Sequence, residues 1–218
     1  MRKTAILFII LSFLFCFYGC KQENAYFGYV SELNQDIYVG TVGETTLTAV
    51  YGFKESPYIN DGAVGKKIYC LTFKLNVIPD EIKRTVKCTF NGKEFSADFA
   101  VDAVTSEYKA RIETEKEQGD FTAEFVCGSE ITTFNMTSAL PENCLNANGA
   151  LSALQAEQQA LLDAYTVDGI FKAELYMRVI MRNDYPYWYV GIASGNGALQ
   201  ALLLDGITGK ALAIREIF

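Results

Sequence analysis

From Ile37 to about Met136 apolar and polar residues alternate in short runs broken by Gly, Pro, Asn and Asp, the habit of an all-β sandwich or barrel. The pattern predicts seven strands: Thr45 to Phe53, Lys66 to Val77, Thr85 to Phe90, Glu94 to Val101, Tyr108 to Glu113, Phe121 to Cys127 and Ile131 to Met136. Side chains alternate along a strand, so Tyr69, Leu71, Phe73 and Leu75 share one face and Cys70 takes the other. By the same parity Cys88 lies with Val86 and Phe90, and Cys127 with Phe121, Ala123 and Phe125, both facing inward. Asn91-Gly92 between two strands predicts a two-residue hairpin, since both residues tolerate positive φ. An immunoglobulin-like sandwich over residues 36–140 is the expected fold, although the tryptophan that antibody domains pack on their disulfide is missing.

After Pro141 the period changes. Leu151, Leu154, Gln158, Leu161, Leu162 and Tyr165 recur at intervals of three and four, which predicts an amphipathic helix over Asn148 to Tyr165 with Asn148 as its N-cap. Strands then resume at Phe171 to Met181, Tyr187 to Ser194, Leu199 to Asp205 and Lys210 to Ile217. Gly195-Asn196-Gly197 and Asp205-Gly206-Ile207-Thr208-Gly209-Lys210 supply the turn residues between them. One helix on an antiparallel sheet is an α+β unit. The expected chain therefore has two domains, all-β at 36–140 and α+β at 148–218, joined by a linker at 141–147.

The N-terminus carries a different message. Arg2 and Lys3, an apolar run from Ala5 to Tyr18, Gly19-Cys20 and polar Lys21-Gln22-Glu23 have the parts of a secretory signal. A permanent span needs about 20 apolar residues, more than this run offers. The Gly19-Cys20 pair resembles the lipobox of bacterial lipoproteins, with Phe17 and Tyr18 where that family prefers an aliphatic and a small residue. The resemblance implies a signal peptide at 1–19, acylation of Cys20, a tether at 20–35 and a membrane-lipid anchor on the extracytoplasmic face of a bacterial cell membrane. Ordinary secretion and an uncleaved short anchor are the alternatives.

Loss of residues 1–19 removes two of the 19 basic side chains and no acid, leaving 17 against 26 acidic and a balance of −9. A polyanion binder works through clustered Lys and Arg, and here no basic run exceeds Lys66-Lys67, so nucleic acid is not an expected partner. Cys16 leaves with the signal and Cys20 is taken by lipid, so Cys70, Cys88, Cys127 and Cys144 remain for an oxidising compartment. Four cysteines allow three pairings. Parity favours Cys88 with Cys127, leaving Cys70 for Cys144.

The C-terminal stretch reads Tyr187-Trp188-Tyr189-Val190, then Ala201-Leu202-Leu203-Leu204-Asp205 and Thr208-Gly209-Lys210-Ala211-Leu212. Over roughly residues 143–218 it resembles the PepSY family of small extracytoplasmic domains. That resemblance implies a non-catalytic module of the kind found in lipoproteins and protease propeptides, here acting on a separate protein.

The search for chemistry returns mainly exclusions. With no histidine, Ser-His-Asp and Cys-His catalysis are ruled out. Cysteine spacings of 18, 39 and 17 contain no C-x-x-C, so no metal site is expected, and no cofactor either. Ser106-Glu107-Tyr108-Lys109 spells S-x-x-K but starts a strand rather than a helix. Glu113, Glu115, Glu117 and Asp120 read as a solvated hairpin tip, and Asp98 with Asp102 as a charged outer strand face. Tyr185, Tyr187, Trp188 and Tyr189 form an aromatic segment of the type enriched at interfaces. The expected function is a membrane-tethered, non-enzymatic binding or scaffold lipoprotein contacting an extracytoplasmic protein, with a protease as one candidate partner. The alternative is a carboxylate-based hydrolase of surface glycans or peptides, since two acids suffice for glycoside hydrolysis.

Overall fold

A computed structural model describes residues 23–57, 63–75, 83–90, 92–103, 105–114, 119–195 and 199–217. Cys20 and the leader before it, Asn91, Glu115, Glu117, Asn196 and Gly197 lie outside the described residues. After a 3₁₀ helix at Ala25–Tyr29 come β1 (Val30–Val42), β2 (Thr45–Glu55), β3 (Lys67–Leu75), β4 (Arg84–Phe90), β5 (Lys93–Asp98), β6 (Ala100–Val101), β7 (Tyr108–Glu113), β8 (Phe121–Cys127) and β9 (Glu130–Ser138). The chain continues through helix α1 (Ala147–Ala164), β10 (Thr166–Val167), β11 (Ile170–Phe171), β12 (Ala173–Arg182), β13 (Tyr185–Ser194), β14 (Leu199–Asp205) and β15 (Ala211–Ile217).

Six of the seven strands expected in the first part and the four in the last are present with ends shifted by a few residues, whereas the expected Glu94 to Val101 strand is broken at Phe99 into β5 and β6. The expected division into a β-sandwich followed by a separate α+β domain is absent. A single 13-stranded sheet runs β15-β14-β13-β12-β1-β2-β3-β7-β6, with β9, β8, β4 and β5 branching from β1. The strand responsible is β1. Its first half pairs in parallel with β12, Val30 opposite Leu175 and Leu33 opposite Met177. Its second half pairs antiparallel with β9, Tyr38 opposite Ser138. Along almost its whole length it also pairs with β2. Residues 23–35, expected as a tether, are thus the 3₁₀ helix and the start of this shared strand.

Around the second half of β1 the strands follow the order β6-β7-β3-β2-β1-β9-β8-β4-β5, and β5 runs through Phe99 into β6, so the sheet nearly closes on itself. Tyr38, Leu47, Tyr51, Leu71, Phe73, Val86, Phe125, Phe134 and Met136 fill the interior. The β4–β5 hairpin forms where Asn91-Gly92 predicted it, with Gly92 at φ 75°.

The other half is layered. α1 lays Leu151, Leu154 and Leu162 on Leu175, Met177, Val190, Ile192, Leu202 and Leu204 of the sheet, joined by Val30, Leu33 and Phe53 from β1 and β2. Fully burying such a side chain contributes about 1.5–3 kcal/mol, so β1 and β2 are structural members of this core. The N-cap lies two residues earlier than expected: Asn146, not Asn148, caps the helix and accepts from the Gly149 N–H at 2.8 Å. Asn148 binds Asn24 instead.

β1 serves both cores through a bulge. Asn34 faces Gly52 and Asp36 faces Tyr51, leaving Gln35 as the extra residue. A side chain on Gly52 would not fit there, because a Cβ would stand 1.7 Å from the Leu33 carbonyl oxygen.

Candidate interaction surface

Strand alternation divides the aromatic segment of β13 between two environments. Trp188 points toward α1, is fully buried, and donates from Nε1 to the Leu145 carbonyl at 2.9 Å. It is a core residue, not part of the contact surface assigned to it from sequence; large and apolar with one polar handle, it fills the layer and finds its partner in the linker. Tyr185, Tyr187 and Tyr189 stand on the opposite face, each half-buried. Register sets Tyr189 between Arg178 and Leu203, and Leu203 beside Ala213. Arg178 and Ala213 are exposed and Leu203 is half-buried.

Tyr185 is anchored. Its ring lies 5.3 Å from that of Tyr187, tilted by 55°, and its hydroxyl donates to Asp205 Oδ2 at 2.9 Å. That bond, with minor help from desolvation and the carboxylate charge, raises the phenol above its ordinary pKa. Asp205 also accepts from the N–H groups of Ile207 and Thr208 at 2.9 and 2.8 Å. Burial opposes its ionisation, but these backbone donors and Tyr185 outweigh that and hold the carboxyl below its usual range. The Asp205-x-x-Thr208-Gly209 turn therefore has a local purpose: Asp205 ties the loop, Gly209 takes φ 75°, and Gly206 passes so close to Pro186 that a Cβ would meet its carbonyl oxygen at 2.5 Å.

Toward the other end the same sheet face is covered. Glu174 is fully buried and accepts from the Tyr176 hydroxyl at 3.2 Å, while Tyr176, Ala193 and Ala201 are buried beside it. The bare part is thus a bounded patch of three tyrosines, Leu203, Arg178 and Ala213. At its β1 border Glu32 pairs with Arg178 at 2.9 Å and with Lys54 at 3.9 Å, a charge bridge across three strands. Sequence reasoning missed Glu32 and Glu174, because nothing local announces that β1 lies beside β12.

The cysteines do not pair as expected: all four described ones are free thiols. Parity was right about direction, but register defeats the Cys88–Cys127 bridge. Cys88 stands opposite Ala123, and Cys127 opposite Arg84, four positions along. That offset is about 13 Å along a strand, whereas a disulfide needs Cα atoms within about 7 Å. Burial pushes the Cys88 thiol up to about 12, making it inert at neutral pH. Burial, and then the Asp36 charge, raise the Cys144 thiol as well. Cys144 lines an open cleft of about 460 Å³ with Gln35, Asp36, Leu140 and Glu142, where the linker crosses the β1 bulge.

The remaining motifs resolve into surface structure. Asp98 and Asp102 do not share a strand face, since the chain breaks between β5 and β6 at Phe99. Asp98 pairs with Lys83 at 2.9 Å and accepts from Thr85; Asp102 closes a turn onto Thr105. Ser106 sits in that turn at φ 56°, and Lys109 is held by Glu107 at 2.7 Å and Asp102 at 3.6 Å, so the S-x-x-K pair lies on no helix. Asp120 accepts from the Ser138 N–H. Among the described residues no group of three or more Cys, Asp or Glu is placed to hold a metal ion. Among the described residues the two buried glutamates, Glu55 and Glu174, diverge: Glu55 shares the face of Phe53, whereas Glu174 is on the face opposite Leu175, and Phe53 and Leu175 belong to one core.

No protein-family model, curated protein or solved structure matches the chain.

Proposed function

We propose that this protein is a lipid-anchored, extracytoplasmic binding module that works without catalysis, contacting another protein through the patch of Tyr185, Tyr187 and Tyr189. The observation that carries this reading is the sharing of one strand between two tasks. Trp188 and Val190 build the core, while Tyr185, Tyr187 and Tyr189, on the alternate positions, line a sheet face left bare beside Arg178. Tyrosine and arginine are the residues interfaces favour, because each brings a large contact area with a polar end. Binding is preferred to hydrolysis because, among the described residues, the two buried glutamates stand on opposite faces and cannot flank one bond. Acylation at Cys20 supplies the anchor, and a protease is the partner class that the PepSY resemblance favours.

The test is crosslinking in intact cells, comparing the native chain with a Tyr187→Ala/Tyr189→Ala variant. Both positions are half-buried on the bare face, so the fold persists. A partner captured by the native protein is lost at least tenfold in the variant; undiminished capture sinks the assignment. In parallel, Cys20→Ser moves the protein from the membrane to the soluble fraction, and full retention on the membrane refutes the acyl anchor.

A further inference from the structure

Among the described residues, β15 and β5 are the strands longer than two residues that have a ladder partner on one side only. Such a strand directs the N–H and C=O groups of alternate residues outward, where another extended chain can take them. The two strands treat this exposure differently. On β5 every exposed side chain is polar, namely Lys93, Glu94, Ser96 and Asp98, and Asp98 is tied to Lys83 at 2.9 Å. On β15 the exposed side chains include Leu212 and Ile214, 47% and 50% accessible, with exposed Ala213 between them. Lysine and proline commonly guard a free edge, and Ala211 to Ile217 contains neither.

The neighbours of Ile214 continue the apolar theme. It stands opposite Leu202, which faces Val190, which in turn faces Met177. Those three are buried in the helix-covered core, so one apolar row crosses four strands and stops, half-covered, at the sheet edge. A second copy of β15 can extend that row. Antiparallel strands related by a two-fold axis perpendicular to the sheet pair each residue with the one equally far on the other side of the centre. The β14–β15 ladder shifts at Leu203/Leu204, with Leu212 as the extra residue, so regular pairing begins at Ala213. Within Ala213–Ile217 the centres with a residue on each side are Ile214, Arg215 and Glu216. A centre at Arg215 opposes two guanidinium groups and one at Glu216 opposes two carboxylates, and like charges directly opposite are destabilising. A centre at Ile214 sets the two Ile214 side chains together and puts each Arg215 across from a small Ala213.

We infer that two copies of this chain associate through β15, antiparallel and centred on Ile214, so that the sheet continues from one copy into the next. Because the two-fold stands perpendicular to the sheet, both tyrosine faces look the same way and form one surface. The pairing stands on the strand edge alone, independent of the lipid anchor and of the tyrosine contact. The test uses the full chain purified in detergent, with one cysteine added at a time. Ile214→Cys and Glu216→Cys both alter exposed positions, and circular dichroism verifies each fold. Pairing centred on Ile214 sets the two copies of position 214 directly opposite, within the roughly 7 Å that a disulfide spans. The two copies of position 216 lie four residues apart along the strands, about 13 Å. Mild oxidation should therefore give at least about fivefold more covalent dimer from Ile214→Cys than from Glu216→Cys, with the native chain as the blank for its own thiols. Equal yields, or more from Glu216→Cys, overturn the pairing. Sedimentation reads the mass independently: the native chain is expected as a dimer and Ile214→Lys as a single chain. A native monomer, which would leave the edge to an extended segment of another protein, or a dimer that Ile214→Lys leaves intact, refutes the inference.

Discussion

The two halves of this sheet answer the same problem in opposite ways. Around β2, β3, β7 and β9 the strands curl until the sheet nearly closes, and each strand buries one face against its neighbours across the interior. Around β12 to β15 the sheet stays open, α1 covers one face, and part of the other face remains bare. Closure consumes surface, whereas layering leaves some unspent. That leaves the tyrosine patch uncovered in the second half, while the surface of the first half carries local ion pairs such as Lys109 with Glu107.

The comparison holds only if the halves depend on each other, and the strongest way to break it is to cut them apart. A chain of residues 141–218 alone loses Val30, Leu33 and Phe53 from its core and bares the β12 edge that β1 covers. It is expected to be unfolded, with collapsed amide dispersion by NMR; a well-dispersed spectrum would restore two independent domains. Next in size, Trp188→Ala in the layered half and Phe73→Ala in the closed half should each cost about 3–5 kcal/mol. Both should lower one shared urea transition, and two separate transitions would show the halves to be uncoupled. Gly52→Ala strikes the join itself. The new methyl meets the Leu33 carbonyl, an overpacking whose cost is expected at the upper end of about 1–3 kcal/mol, with amide exchange accelerated in β1 and β2 before other strands.

The smallest effect belongs to the closed half's surface. The Lys109 hydrogen bond, opposed by burial and helped by Lys74 and Thr105, lowers the Glu107 carboxyl to about 2. A depressed acid stabilises the fold above its unfolded pKa, and that contribution fades as pH falls through the folded value. Glu107→Gln should therefore flatten the loss of stability between about pH 4.5 and 2, by under about 1 kcal/mol because the pair is largely solvated. An unchanged acid limb would show the ion pairs to be without net effect.

Much of this could be read from the chain, and the failures have physical causes. Strands with strict alternation, such as Phe121–Cys127, were legible to the residue. β1 was not, since Asn34-Gln35-Asp36 places three polar residues at its bulge and resembles a tether. Its parallel pairing with β12 joins residues about 145 apart, and no local pattern encodes a partner at that distance. The tyrosine patch was visible as composition. Its division was available too, for alternation alone sets Trp188 opposite Tyr187 and Tyr189.

Leu33 and Tyr38 are five residues apart, an odd interval that an unbroken strand would send to opposite faces, yet their partners Phe53 and Ala49 share one face of β2. Gln35 therefore acts as a change of phase, after which the strand counts its inward positions on even instead of odd numbers. Its deletion would leave a regular strand in which Leu33 and Tyr38, then four residues apart, still share one face, so the local kink would be lost and the register kept. Gln35 is the one residue the ladder passes over, and setting it aside lets an odd interval in the sequence serve one continuous face of the sheet.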